Sequence, residues 1–550
     1  MSLAPSETNL IPAAVFLALI NHLYFHRFEP KSANRPILVL AIQPLLLLVA
    51  FSVPRSFVTL LTISTVFFIT LGGSISLYRI SPWHPLAHIP GPAILKITKL
   101  CGVWVAFRGK QHRVTKALHD RYGPFVRTGP NEVSIVHVDA IKIVLGAGGF
   151  PKGQYYHFRS DPTALPTRNL ITLNGEAHAN RRRIWNRGMG SESLGDYEII
   201  LARRIMQLME RLEGFSASGA GGVDIAAWFS FFSFDFMGDM AFGGGFEMLR
   251  DGGDENGLWA ILEQGTKSIN VLSQIPWIIS TLHLIPGATS GIKTLRNFGG
   301  ACARKRIASG STVRDLWYHL TDEAGMEKKT QPTIGEVVAD GVLAIIAGSD
   351  TTSVALSCFV FFLLSDLDIY RRVQAEVDTV YPAGESLLDT SKHAELHFLT
   401  ACLNETLRLC PPVPSNGSRQ VPCGEGRVVA GCFVPEHTQI FIPPYALHRS
   451  AAHFYPAPEA FDPDRWLRGS ASRPDEVLNT AAFIPFSYGA HNCVGKALAW
   501  REMLMLASTL LRTFEVRFAA GFEAAGWAEQ LHDVFVTSVG RPLMVELRRR

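Results

Sequence analysis

Apolar positions crowd the first eighty residues and then give way to periodic patterns. The run 10–25 is apolar apart from Asn21 and His22, and the runs 36–53 and 57–77 carry no charge. A membrane-crossing helix needs about 20 such residues, so the third run qualifies, the second is borderline and the first is marginal. Residues 1–80 therefore read as a membrane anchor of one to three segments. A cleaved signal peptide fits poorly, because the start lacks basic residues and two more apolar runs follow. Arg27, Lys31 and Arg35 lie between the first two runs, Arg55 between the next two, and Arg79 after the third. With one span or three, the rest of the chain falls on the Lys/Arg-rich, cytoplasmic side. Two spans would put the first loop opposite it.

Pro85, Pro90, Gly91 and Pro92 cannot continue a helix, so 81–92 reads as a stiff hinge. From residue 93 to 550 the periodicity is mostly helical, with β-like runs at 133–136 and 439–442. The Gly/Ser/Ala-rich stretch 214–222 reads as a loop, and polar 322–333 as a surface connector before a long helix. No internal repeat is present. Formal charge is +4, from 52 Lys+Arg against 48 Asp+Glu, too mild to argue for nucleic acid. Eight cysteines show no CxxC pair or zinc spacing, which excludes a local zinc motif or disulfide framework and suits a reducing compartment. Sequons at Asn404 and Asn416 read as chance.

Candidate chemistry centres on Cys493. Phe486, Gly489, His491, Cys493 and Gly495 follow the spacing F-x-x-G-x-[RH]-x-C-x-G, which suits a thiolate presented to a haem iron. Gly489 can turn the chain where a Cβ would resist. His491 offers a cation or donor to a haem propionate, and Gly495 keeps bulk away from the metal side of the loop. Lys496 to Thr513 has helical apolar spacing, so Cys493 precedes a helix start whose positive end favours a thiolate. The decapeptide resembles the haem-binding signature of the cytochrome P450 family, and the resemblance extends over roughly residues 85–550. It implies a mostly α haem-thiolate fold with a small β-rich lobe, haem b as cofactor, and Cys493 as the axial iron ligand.

A second constellation is Gly348-Ser349-Asp350-Thr351 within the apolar run 341–364. An acid and hydroxyls inside an apolar helix call for a function or a partner. Gly348 permits close approach of a ring, and a Thr hydroxyl bonded to the carbonyl four residues back can open the helix. The resemblance makes Asp350 and Thr351 an acid–alcohol pair that relays protons above the haem. It also makes Glu405, Arg408 and Arg465 a buried structural triad behind the Cys loop, with Asp464 standing where Glu is commoner. His178 and Arg182, with His in place of the usual Trp, and Arg419 are its implied propionate contacts. Trp185 is out of register. The implied pocket draws on 150–170, the 340s helix face, 413–417 and 535–538. Phe150, Ile346, Val413, Phe535 and Val536 are its expected apolar lining, and Arg159 and Asp161 are unplaced.

The function implied is a membrane monooxygenase inserting one oxygen atom from O2 into a lipophilic molecule. The three-run anchor and the overall sequence resemble fungal microsomal members of the family in secondary metabolism, which implies a secondary metabolite such as a terpenoid as substrate. No flavin or nicotinamide domain is recognisable, so electrons are expected from a separate NADPH-cytochrome P450 reductase. Lys496, Arg501, Arg183 and Arg187 are candidates to meet its acidic face. The expected location is the endoplasmic reticulum membrane, with membrane lipid and no nucleic acid as partners. The alternatives are a haem-thiolate isomerase, dehydratase or peroxygenase, and a non-catalytic membrane haem-binding protein. Intact Asp350 and Thr351 weigh against both.

Overall fold

A computed structural model describes residues 9–28, 33–51, 56–156, 167–218, 222–255, 257–282, 285, 287, 290–310, 313–327, 331–424, 426–467 and 475–550. Arg159 and Asp161, with Lys31 and Arg55, lie outside them.

Three N-terminal helices, Leu10–Arg27, Asn34–Ala50 and Phe57–Ile80, match the apolar runs. Leu10, Ala14 and Ala18 form a one-sided seam packed with Leu48, Ile63, Phe67 and Leu71. His22 bonds Ser74 at 2.6 Å and His26 bonds Tyr78 at 2.8 Å, a constant offset that makes the first and third helices parallel. Asn21 donates to Gln43 of the second helix at 2.7 Å. Polar groups thus meet inside this bundle, while Phe16, Leu23, Leu46, Val58 and Ile69 point outward.

The rest is mostly helical. Its axis is the helix Ile334–Ser365, started by a capping box in which the Thr333 hydroxyl accepts the Glu336 N–H and Glu336 accepts the Thr333 N–H. This helix is long and apolar enough to cross a membrane. It lies instead inside the protein, against the apolar helix Ile225–Phe242, where Val354, Leu356, Phe359 and Leu363 are buried. The run 214–222, read as a loop, is helical as far as Ser218. Leu208 and Leu212 are buried and anchor the end of Ser191–Ser218 despite Gly214. The connector begins as expected with a turn at Asp322, whose carboxylate accepts the Met326 and Glu327 N–H groups.

The β-like runs 133–136 and 439–442 become Glu132–Ile135 and Gln439–Phe441, which pair in parallel. Phe125–Gly129 and Arg419–Gln420 complete this sheet at its two edges. Its residues Val133, Ile135 and Ile440 join Phe150 and Ile484 in a second core beside the main helical one. A tight hairpin, Leu531–Val534 with Val536–Val539, turns at Phe535 with φ +84°.

Candidate functional site

The Cys493 loop is built by backbone. Cys493 N–H donates to the Phe486 carbonyl at 2.8 Å and Asn492 N–H to that of Gly489 at 3.1 Å, just before the helix Lys496–Thr513. Gly489 is required twice over. Its φ is +72°, and an added Cβ would lie 2.1 Å from the Leu145 carbonyl oxygen. Gly495 has φ −84°, and a Cβ there would reach ordinary contact with Cys493 Sγ at 4.0 Å. Burial pushes the Cys493 thiol up, opposed by the Gly495 N–H, Arg182 and Lys496. The helix-end environment therefore only partly offsets desolvation.

Cys493 is accessible although protein surrounds it, because it opens into a cavity of about 610 Å³. One end of that cavity is basic. His178, Arg182, Arg419, His491 and Lys152 all line it, and its only carboxyl among the described residues is Glu502. The rings of His178 and His491 lie 3.9 Å apart. Burial and the neighbouring cations lower both histidines, His178 to about 4. Lys152, tied by bridge pairing to Arg419, is lowered to about 7 by burial and by Arg419 and Arg182. His491 Nδ1 is buried with no hydrogen-bond partner among the described residues. Mutually repelling cations and an orphaned donor fit a dianionic group such as the two propionates of haem. Lys152 was missed from sequence, where a lone lysine after Phe150-Pro151 carries no signal.

Arg182 also braces the loop, donating to the Asn492 carbonyl and side-chain oxygens at 2.6 Å each. Its helix, Gly175–Gly188, is pinned by buried Asp340, which accepts from Arg181 at 2.9 Å, Trp185 at 3.0 Å and the Leu170 N–H at 2.8 Å. Trp185, out of register for a propionate, thus serves Asp340.

Glu405, Arg408 and Arg465 do converge. Arg408 meets Glu405 bidentately at 2.8 Å, and Arg465 Nε reaches the same carboxylate at 3.0 Å, all fully buried. Trp466 Nε1 adds a bond at 2.9 Å. Arg408 also donates to the His448 carbonyl, and the His448 ring accepts the Ile484 N–H at 2.9 Å. His448, which sequence reasoning missed, therefore couples the triad to the segment leading into the Cys loop. Asp464 pairs outward with Arg372.

Thr351 lines the cavity, its hydroxyl donating to the Ala347 carbonyl at 2.6 Å as expected. Asp350 is not among the lining residues, although its neighbours Thr351 and Thr352 are. Burial and Glu263 push its carboxyl up to about 7. The bare face of Gly348 is taken by Met237, whose Sδ would lie 2.5 Å from an added Cβ. Beside Thr351, Thr352 and Ser233 bond buried Glu502, whose carboxyl burial raises to about 8. An acid in the apolar run after Cys493 was the available signal for it.

Ile346, Val413, Phe535 and Val536 line the cavity as expected, but Phe150 does not. It packs in the sheet core, and only its carbonyl faces Arg419. Phe535 is held by buried Asp533, which accepts its N–H at 3.2 Å and the hydroxyl of Ser415. Asn270 donates to the Asp533 carbonyl at 3.3 Å. Burial raises the Asp533 carboxyl to about 6.

The Cytochrome P450 family model matches residues 90–523. The chain belongs to the cytochrome P450 family. A tryprostatin B 6-hydroxylase of Aspergillus fumigatus is 32% identical over 490 residues, 88% of this chain and 84% of that protein. Cytochrome P450 67 of Uromyces fabae is 30% identical over 544 residues, 96% of this chain and 98% of its own length. A trichothecene C-15 hydroxylase of Fusarium sporotrichioides is 31% identical over 456 residues, 82% and 90% of the two chains. This P450 is therefore a haem-thiolate monooxygenase, which sets aside the isomerase, dehydratase and non-catalytic readings.

Proposed function

We propose that this P450 is a three-span microsomal enzyme that hydroxylates a lipophilic secondary metabolite on the cytosolic face of the endoplasmic reticulum. The observation that carries the site assignment is the accessible Cys493 sulfur at the floor of a cavity where, among the described residues, five basic side chains gather at one end. Haem b would be held by Cys493, with its propionates among His178, Arg182, Arg419, His491 and Lys152. The bound iron supplies activation of O2. Around it, Phe486 and Gly489 shape the Cys loop, and Glu405, Arg408 and Arg465 hold it through His448. Thr351 holds a hydroxyl at the cavity wall, where it can pass a proton, with Asp350 as the acid one residue behind it. The overall change is RH + O2 + NADPH + H⁺ to ROH + H2O + NADP⁺.

The anchor reading, residues 1–80 followed by the hinge 81–92, is supported by the inside-out N-terminal bundle. Its polar groups pair internally while its exterior is apolar, as lipid requires. Parallel first and third helices put the loop after Arg27 and the catalytic domain, residues 93–550, on one side. Asn34 indeed accepts a bond from Thr281 of the catalytic domain at 2.8 Å. The names of the relatives support the substrate class. A separate NADPH-cytochrome P450 reductase supplies the electrons. Of the four basic residues expected to meet it, Arg183 and Arg187 share Glu327 and Arg501 pairs with Glu198. Lys496 has no ion pair among the described residues and is the proposed contact.

The test is the carbon monoxide difference spectrum of reduced membranes carrying the full chain, beside Cys493→Ser. A strongly red-shifted Soret band lost in the variant supports the assignment. A band unchanged by the substitution overturns it.

A further inference from the structure

Beside the four-stranded sheet, Cys423, Glu436 and His437 bring a thiol, a carboxylate and an imidazole together at the surface, with ligand atoms all within 4.8 Å of one another. They come from two chain segments locked in register. Val421 N–H donates to the Thr438 carbonyl at 2.9 Å, and His437 N–H to the Val421 carbonyl at 3.0 Å. Glu436 Oε2 lies 3.9 Å from His437 Nε2 and accepts the Gly424 N–H at 2.7 Å. The Cys423 thiol hydrogen-bonds the same carboxylate. Behind the ring, the Gln420 side-chain amide sits 3.2 Å from His437 Nδ1. The oxygen and nitrogen of such an amide exchange by rotation. With its carbonyl turned to the ring it accepts Nδ1–H and leaves the Nε2 lone pair free toward Glu436, the support that metal-bound histidines usually have.

We propose that Cys423, Glu436 and His437 form a surface site for a divalent cation of the zinc class, with water completing a tetrahedral shell. The donor set decides the cation. Thiolate, imidazole and carboxylate suit zinc at about 2.0–2.3 Å each, whereas calcium and magnesium take oxygen shells. The site lies apart from the haem cavity but shares a strand with it: Gln420 backs His437, while adjacent Arg419 lines the cavity. Glu436 also feels the charge of Arg27 at the end of the first helix, so the site is on the side of the sheet near the anchor. The spacing rules for zinc motifs miss it because its segments meet only through strand pairing.

The test uses the full-length haem-loaded protein in detergent, stripped with a chelator and titrated with zinc against a chromophoric chelator. Bound zinc is counted by elemental mass spectrometry, and alkylation of Cys423 by N-ethylmaleimide is read by peptide mass spectrometry, with Cys432 as the reference thiol. One equivalent of zinc should bind and slow alkylation of Cys423 but not of Cys432. Cys423→Ser and His437→Ala should each weaken binding at least about 100-fold, and Gln420→Leu about tenfold, with the haem spectrum unchanged. Failure to bind zinc, equal affinity in Cys423→Ser and His437→Ala, or unprotected Cys423 each overturns the proposal.

Discussion

Around Cys493 nearly every residue is fixed by several specific contacts, whereas across the cavity Ile346, Val413 and Val536 are placed chiefly by packing. The Cys loop has a glycine pressed onto the Leu145 carbonyl, backbone bonds closing the turn, Arg182 across Asn492, and a buried triad linked through His448. The opposite wall has apolar side chains, with the strained Phe535 turn braced by Asp533. The difference follows from what each face must meet. A cofactor of fixed shape and charge leaves few solutions for the residues beneath it. A wall facing a substrate needs only the right volume and polarity, which many side chains supply.

The sharpest break in that contrast is Glu405→Ala. It strands two buried guanidinium groups and should cost about 3–5 kcal/mol, seen as loss of folded, haem-retaining protein. Gly489→Ala should cost about 1–3 kcal/mol for the left-handed backbone alone. Thermal unfolding with haem content measured in parallel checks both, and retention of haem by either variant would weaken the claim of a rigid floor. Glu502 tests the boundary between the faces. Its carboxyl is raised from 4.5 to about 8 in the fold, so the folded state holds an extra proton between those values. Stability from this group is present below pH 4.5 and declines as pH rises toward 8, by about 1.4 kcal/mol per pH unit. Glu502→Gln should remove that slope, read from denaturant midpoints across pH 5–8.

On the distal wall, Phe535→Ala should leave haem content intact and change affinity for a series of N-alkylimidazoles by up to about tenfold, favouring longer chains. A loss of haem instead would show that the distal wall is as constraining as the proximal one. Smallest of all, Lys496→Glu should lower reductase-supported turnover a few-fold at low salt and less at high salt, with the carbon monoxide spectrum unchanged.

Much of the proximal side was legible because its groups recur at fixed local spacings: Phe486 through Gly495, and Glu405 with Arg408. Phe150 was misplaced because an apolar residue reads alike in a core and in a pocket. The stretch 214–218 was misread because buried leucines earlier in the helix outweigh the weak propensity of Gly214.

Local pattern was enough to define the apolar N-terminal runs, the Cys493 loop, the helix bearing Thr351 and the two strands that pair in the small sheet. These depend on local periodicity and on residue types with narrow backbone or chemical roles. The three-dimensional fold was needed to show that Lys152 joins the basic end of the cavity, that His448 links the triad to the Cys loop, and that Asp350 turns off the cavity wall. It alone brought Cys423 to Glu436 and His437. Each of these depends on distant segments meeting through strand pairing or helix packing, where burial and neighbouring charge, not spacing along the chain, set what a side chain can do.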